Sequence, residues 1–456
     1  MTHYASIFKG TAFSSRSPKE VQVLEDHLFF INTQGMIERV VSPESKDYQP
    51  LLDIHQDADH FHCLADGQVF LPGFIDLHVH APQWAQAGIA LDIPLYEWLN
   101  KYTFPLESKF CNLDFAKLVY EDLVRTLLTN GTTTVQYFAT VHKDASLLLA
   151  EICAEKGQRG LVGKVVMDDS EQNPPYYRDL TTETALQDTE EFILAVRKLS
   201  KSTKQGVYPV VTPRFIPSCT DGALKGLGEL AAKYNTHIQS HCSESDWAHK
   251  YVIDRFNKHD AFALNDFGLL TDKSVMAHCN FLDDNDAALF AKTGTAIAHS
   301  PLSNAYFANS VLPLAHLQGM GVQIGLDTDL SGGFSPSLYD NIRQAVMSSR
   351  MLEDGVNPAL PAEKRGKPGS RITMNEAFYL ATAGGGESLS LPIGRLEENY
   401  AWDVQIVDTK IPSAKLPIFS SNEDLEDQFQ KILYLARPEN IREVWVQGEM
   451  VHKRLK

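Results

Sequence analysis

No CxxC pair occurs anywhere in the chain, and its six cysteines, at 63, 111, 153, 219, 242 and 279, are scattered over 456 residues. Small disulfide scaffolds and closed thiolate zinc modules need closely spaced cysteines, so both are excluded. The expectation is a reduced, cytoplasmic setting, with Cys219, Cys242 and Cys279 as small buried hydrophobes. No stretch comes near the roughly 18 apolar residues of a membrane span, and the opening MTHYASIFKG lacks the apolar run of a secretory leader. Basic residues are outnumbered, 41 Lys and Arg against 58 Asp and Glu, for a formal net charge of -17. Nucleic acid and acidic membrane surfaces draw their affinity mostly from Lys and Arg, so neither is an expected partner.

What is present is an ordinary globular balance, 43% hydrophobic and 22% charged, long enough to bury a large core. From about residue 71 to 330, β-rich runs alternate with helical patterns: PGFIDLHVH, TTTVQYF, LVGKVVMD, VYPVVTPRF, THIQSHC, SVMAHCN, TAIAHSP and VQIGLDTD. Between the first two, Phe115, Leu118, Val119 and Leu123 carry helical spacing that stops at Asn130-Gly131. Strand-helix alternation implies parallel strands joined by crossovers, and eight such units fit a TIM-type (β/α)8 barrel, with an open doubly wound sheet as the alternative. Polar residues at the carboxyl ends of nearly every run favour the barrel, where such ends converge on one pocket.

The flanks differ. HLFFINTQGMIERVV, with a turn at Gln34-Gly35, and the late runs WDVQIVD and EVWVQGEMV predict a small β-sandwich shared by residues 1–70 and 393–456 around a catalytic barrel at 71–392. Thr373 and Glu376 form a capping-box pattern before a helix that Gly384, Gly385 and Gly386 are expected to end. The Pro-, Gly- and charge-rich segment 355–370 reads as a mobile surface insertion.

His78 and His80 lie two apart at the end of the first run, and side chains at that spacing on a strand share a face. One such pair is weak evidence. His241 ends the fifth run, His278 the sixth and Asp329 the eighth, so the barrel order brings all five to one pocket. Imidazoles with a carboxylate and an open position suit a divalent ion that activates water; zinc is the first choice, with iron and manganese left open by the spacing. Glu244, three residues after His241 in HCSE, suits proton shuttling beside such an ion and is equally compatible with a carboxylate at a helix N-terminus.

PGFIDLHVHAPQ, GTTTVQYFAT, VTPRF, HIQSHCSE, MAHCN and LDTDLSGG together resemble the guanine deaminases of the amidohydrolase superfamily. The likeness runs nearly end to end and includes LYEWLNKYTFPLE and GQRGLVGKVVMD, which are not generic to metal-dependent hydrolases. It implies one zinc ion per subunit on His78, His80, His241 and Asp329, with His278 contacting metal or water in a catalytic role, and conversion of guanine to xanthine and ammonia. Asp329 would take a proton from the attacking water, and Glu244 would protonate the ring and the departing amine. Gln83, Arg214 and Phe215 would hold the purine, by paired donor and acceptor, a fork of donors and a flat stacking face. A homodimer is implied as well.

Three features depart from the pattern. Asn280 stands where many relatives have a glycine-containing turn, Asp327 replaces a small residue two before Asp329, and HSPLSNAYF after the seventh run differs in detail, leaving His299 a secondary candidate. With period-two geometry, Asp327 is either a second carboxylate near the metal or paired elsewhere. Lys164, on the third run, is read as structural. The rival expectations are a deaminase or hydrolase of the same superfamily acting on another ring, and a barrel retained as a scaffold. The H-x-E and P-C-x-x-C signature of base-editing zinc deaminases is missing.

Overall fold

The computed structural model describes residues 4–308, 310–420 and 423–454. Five strands come first: β1 (Ser6–Ser17), β2 (Glu20–Ile31), β3 (Ile37–Val41), β4 (Phe61–Cys63) and β5 (Gln68–Pro72). The barrel strands follow: β6 (Phe74–His80), β7 (Thr132–Phe138), β8 (Arg159–Gly163) with its short continuation β9 (Val165–Val166), β10 (Val207–Pro213), β11 (His237–Cys242), β12 (Ser274–His278), β13 (Ala296–His299) and β14 (Gln323–Leu326). The chain then returns with β15 (Val404–Asp408), β16 (Ile441–Val446) and β17 (Glu449–Lys453).

The barrel strands pair in parallel in the order β14-β13-β12-β11-β10-β8-β7-β6. Their residues are buried almost throughout, as expected when one sheet face fills the barrel and helices cover the other. The circle is closed by the segment just beyond β14. Asp329 N–H donates to the His78 carbonyl at 2.9 Å, and His80 N–H to the Leu330 carbonyl at 2.9 Å. The closing seam therefore runs through the first histidine pair and the last aspartate, which fixes these side chains by backbone pairing.

All eight runs identified in the sequence are barrel strands. The first crossover helix, Leu113–Thr129, starts at Asn112, whose side chain accepts from the N–H groups of Asp114 and Phe115, and stops before Gly131 at φ +84. Its buried stripe is Ala116, Val119, Tyr120, Leu123, Val124 and Leu127, whereas Leu118 is 69% exposed and lies outside the apolar face that spacing assigned it.

Both termini build the second sheet, ordered β17-β16-β15-β5-β1-β2-β3 with β4 paired to β1. Its strands pack Phe8, Phe29, Phe70, Trp402 and Trp445 into one aromatic cluster, with the Phe8 and Trp402 rings stacked at 4.5 Å. Gly35, at φ +75, makes the expected turn between β2 and β3. Sheet and barrel are tied by the buried ion pair Arg159–Asp403, to which Gln447 adds a hydrogen bond from Arg159 at 2.6 Å. The capping box at Thr373 and Glu376 is formed, and its helix ends at Ala381. Gly384, Gly385 and Gly386 do not terminate it. They lie inside a further short helix, Ala383–Ser388, where a Cβ on Gly385 would stand 2.8 Å from Ile75 and one on Gly386 2.2 Å from the Ile393 carbonyl oxygen, so these glycines permit close packing under the barrel. Segment 355–370 is largely exposed and carries a short helix, Ala362–Arg365.

Candidate active site

His78 and His80 project from β6 with ring centroids 4.8 Å apart. Asp76, earlier on the same strand, accepts from Thr328 N–H at 3.0 Å and Thr328 Oγ1 at 2.7 Å. That anchor holds the segment after β14 against β6. His78 Nε2 then lies 3.2 Å from Asp329 Oδ1, and His80 Nε2 3.7 Å from the same oxygen. From β11, His241 brings its Nε2 to 3.0 Å from that of His80, while its Nδ1 meets the Arg214 carbonyl at 2.6 Å. A carbonyl only accepts, so Nδ1 carries the proton and the Nε2 lone pair of His241 is free.

His278 enters from the end of β12. Its Nδ1 faces Asn304 Oδ1 at 3.1 Å, and its Nε2 lies 3.7 Å from Glu244 and 4.0 Å from Asp329 Oδ2. The Nε2 atoms of His78 and His278 are buried without a hydrogen-bond partner among the described residues. Burial and the neighbouring cationic groups hold His78, His80 and His241 well below the ordinary histidine range, so they are neutral. Neutral imidazoles, converging lone pairs, orphaned buried nitrogens and one carboxylate form a donor set that fits a divalent cation. The donor atoms fall into two overlapping sets, His78 with His241 and His278, and His78 with His80 and Asp329; each set lies within 4.8 Å. A third cluster, His259, Asp283 and Asp286, is different: Asp283 and Asp286 form the capping box of helix Asp284–Thr293, which uses one oxygen of each, and the Asp286 oxygen it uses also meets His259 Nδ1 at 2.8 Å.

Backbone strain is concentrated here. Ser243, His278, Cys279 and Asp329 have φ values of +46, +71, +56 and +45, a region that side-chain-bearing residues enter only when surroundings enforce it. The bend answers the question of Asp327. Strand β14 ends at Leu326, before Asp329, so period-two alternation does not carry through, and Asp327 is paired elsewhere, accepting from Ser300 Oγ at 3.0 Å. Burial, then the charges of Asp76 and Asp329, push the Asp327 carboxyl well above its usual range. Asn280 also acquires a purpose: its amide donates to the Glu244 carbonyl at 3.0 Å and to Asn304 Oδ1 at 3.1 Å, bracing both neighbours of His278.

Glu244 follows β11 and precedes Ser245, the N-cap of helix Asp246–Phe256, so it stands outside the helix's first turn. Burial first, and then the charge on Asp329, push its carboxyl up to about 8, with Arg214 pulling the other way. His299 is buried, with Nδ1 unpartnered among the described residues, and takes no place in the pocket lining. Lys164 is fully buried in an ion pair with Asp179.

Beside the donor set lies a narrow pocket lined by His80, Gln83, Arg214, Phe215, His241, Glu244 and Asp329, all named from the sequence, and by an apolar wall of Leu95, Trp98, Leu99 and Phe307 with Gly332. Gln83 is in the turn Ala81–Gln86 just after β6, and Arg214 and Phe215 follow β10. The Phe215 and His241 ring centroids are 6.2 Å apart. Sequence reasoning missed the apolar wall, and it missed Glu107, the fully buried carboxylate that binds both Gln83 and Arg214. Leu95, Trp98, Leu99 and Glu107 all belong to LYEWLNKYTFPLE, a stretch whose individuality was visible but whose residues carry no spacing signature of chemistry.

Residues 69–451 match the amidohydrolase family. Over 465 residues the chain is 38% identical to guanine deaminase of Mus musculus, covering 98% of this chain and 96% of the other. Against guanine deaminase of Dictyostelium discoideum it is 36% identical, with 98% of each chain covered. The fold superposes on guanine deaminase from C. acetobutylicum with bound guanine at TM-score 0.86 and 30% identity, covering 98% of this chain and 100% of that one. A triazine hydrolase at TM-score 0.80 and 18% identity shares the fold alone. With a match across most of its length and relatives well above 30% identity end to end, the chain belongs to the amidohydrolase family, on its guanine deaminase branch.

Proposed function

We infer that this protein is a guanine deaminase, hydrolysing guanine to xanthine and ammonia. The observation that carries the reading is the juxtaposition, in one buried pocket, of the histidine-aspartate donor set, a Glu244 carboxyl raised to about 8, and the Gln83-Arg214-Phe215 group, in a chain so similar to guanine deaminases.

The ion is zinc, one per subunit, held by His78, His80, His241 and Asp329, all buried and with the three imidazoles neutral. When bound, it supplies a polarised water as nucleophile. Asp329, with its second oxygen 4.0 Å from His278, accepts the proton that water gives up, and His278, its Nδ1 held on Asn304 Oδ1, turns its Nε2 toward the acid so formed. Glu244 holds a proton at neutral pH and gives it to the purine ring; reloaded with the second proton of the water, it gives that one to the amine, which leaves as ammonia, and the proton held by Asp329 returns Glu244 to its starting state. Arg214 donates to the purine carbonyl, Gln83 reads a ring edge and Phe215 stacks on the ring face. Overall one water is consumed and a C–N bond exchanged for a C–O bond.

The wider reading is a catalytic barrel at 71–392 and a terminal-sheet domain from 1–70 and 393–456, whose outermost residues 1–3 and 455–456 lie outside those described. It includes a cytoplasmic homodimer with no nucleic-acid or membrane partner. In support, no described helix is long and apolar enough to cross a membrane, and the net charge is -17. The deciding experiment measures ammonia and xanthine from guanine with zinc-loaded protein, with adenine and cytosine as controls. Turnover confined to guanine supports the reading; comparable turnover of all three overturns it.

A further inference from the structure

Glu107 ends the short helix Phe104–Glu107 and is completely buried, yet it does not line the pocket. Its Oε1 accepts from Gln83 Nε2 at 2.9 Å and Arg214 Nη2 at 3.2 Å; its Oε2 accepts from Arg214 Nη1 at 2.7 Å and the Tyr177 hydroxyl at 2.6 Å. A carboxylate has about four acceptor positions. All four are taken, so Glu107 has nothing left to offer a ligand and acts through the groups it holds. Those groups come from three barrel-strand ends: Gln83 after β6, Tyr177 after β9 and Arg214 after β10. The Arg214 guanidinium is clamped further, lying 5.1 Å over the Phe104 ring.

We propose that Glu107 is the positioning residue that sets substrate specificity: it locks Arg214 and Gln83 as a pre-aimed pair that reads the purine carbonyl edge. This rests on the proposed deaminase reading. Binding Gln83 through its amide nitrogen fixes the amide orientation, leaving the oxygen without a protein partner among the described residues. Pairing both terminal nitrogens of Arg214 fixes the plane of the fork and cancels its charge, so the pocket presents donors in fixed directions to a neutral ring. The same carboxylate explains why LYEWLNKYTFPLE is distinctive: its apolar residues wall the pocket and its last residue sets the two polar readers.

The test measures calorimetric binding of two non-reacting probes to the zinc-loaded protein: hypoxanthine, which has the carbonyl but no amine to lose, and unsubstituted purine, which has neither. Wild type is expected to prefer hypoxanthine by about thirtyfold, the scale of a charge-assisted hydrogen bond. Glu107→Gln should bring the two within about threefold at unchanged metal content, with a lowered thermal midpoint because the buried Arg214 charge loses its partner. Tyr177→Phe, which removes one of the four donors and is the milder change, should shrink the preference about threefold and decides the matter if Glu107→Gln does not fold. An unchanged preference in the folded variants, or equal weakening of both probes, overturns the proposal. Because the readout is binding, a wild type that holds both probes but does not deaminate guanine refutes the reading of function separately.

Discussion

The Nε2 atoms of His80 and His241 stand 3.0 Å apart in the barrel interior, and the second of these rings has its other nitrogen tied to the Arg214 carbonyl. Two imidazole nitrogens facing each other at that separation, with Asp329 alongside, form a contact that a shared cation satisfies better than a hydrogen bond does. Metal removal should therefore cost stability as well as activity. Chelation is expected to lower the thermal midpoint and zinc to restore it, with a stabilisation of about 2.7 kcal/mol once free zinc is a hundred times its dissociation constant. A midpoint indifferent to chelator at verified metal loss would count against a cation at this donor set.

Replacing Glu244 by Gln keeps its size but removes the transferable proton. Its carboxyl is buried 3.7 Å from His278 and raised to about 8. The expected loss is about 10²- to 10⁴-fold in kcat, with zinc content and KM for guanine little changed. A variant with wild-type kcat would remove Glu244 from the proton path.

The barrel and the donor set were readable because each rests on a short-range regularity. Eight apolar runs announce eight strands, and an HxH pair announces one face of one of them. Asp327 and Asp329 mark where that regularity stops: the strand ends at Leu326 and a left-handed turn at Asp329 separates two side chains that alternation placed together. Glu107 was illegible for a different reason. Its three partners are 24 to 107 residues away in sequence terms, and a lone Glu at the end of an apolar segment looks like a surface residue until the fold buries it. Gly385 was misread because a glycine needed for close packing and one needed to stop a helix are the same letter.

His259 offers a pH test away from the metal. Its ring, about one-third exposed, bonds Asp286 at 2.8 Å, and that bond, with the charges of Asp286, Asp283 and Asp260, raises its pKa against the opposing effect of burial. The folded state thus binds the proton more tightly than the unfolded chain, where histidine titrates near about 6.5. The pair's contribution is complete below that value and is lost as pH rises through the higher folded pKa. Burial raises the Asp286 carboxyl above its ordinary value, with the Asp283 backbone bond and the bond to His259 pulling the other way. The thermal-midpoint gap between wild type and His259→Gln is expected to be widest below pH 6 and to narrow on going to pH 9. A gap that widens with pH would contradict the pairing.

Gly332 tests how closely the pocket fits around the carboxylate. A Cβ at this position would sit 2.7 Å from Asp329 Oδ2 and 3.1 Å from Ser303 Oγ, nearer than carbon and oxygen normally approach. Asp329 has little room to give, because its backbone N–H is paired with His78 and its first oxygen lies 3.2 Å from His78 Nε2. In Gly332→Ala the carboxylate must therefore turn, and the group that turns both belongs to the donor set and receives the proton from the attacking water in the proposed reaction. The strain is local and confined to a pocket rim, so the cost in stability should be about 1–3 kcal/mol, typical of overpacking. The effect on chemistry should be larger, about a hundredfold in kcat/KM, since misplacing a reacting group by an ångström costs on that scale. Guanine kinetics beside a denaturant melt separate the two. A variant that loses stability but keeps its rate would show that Asp329 tolerates movement, and its assigned place as proton acceptor would then have to pass to another group.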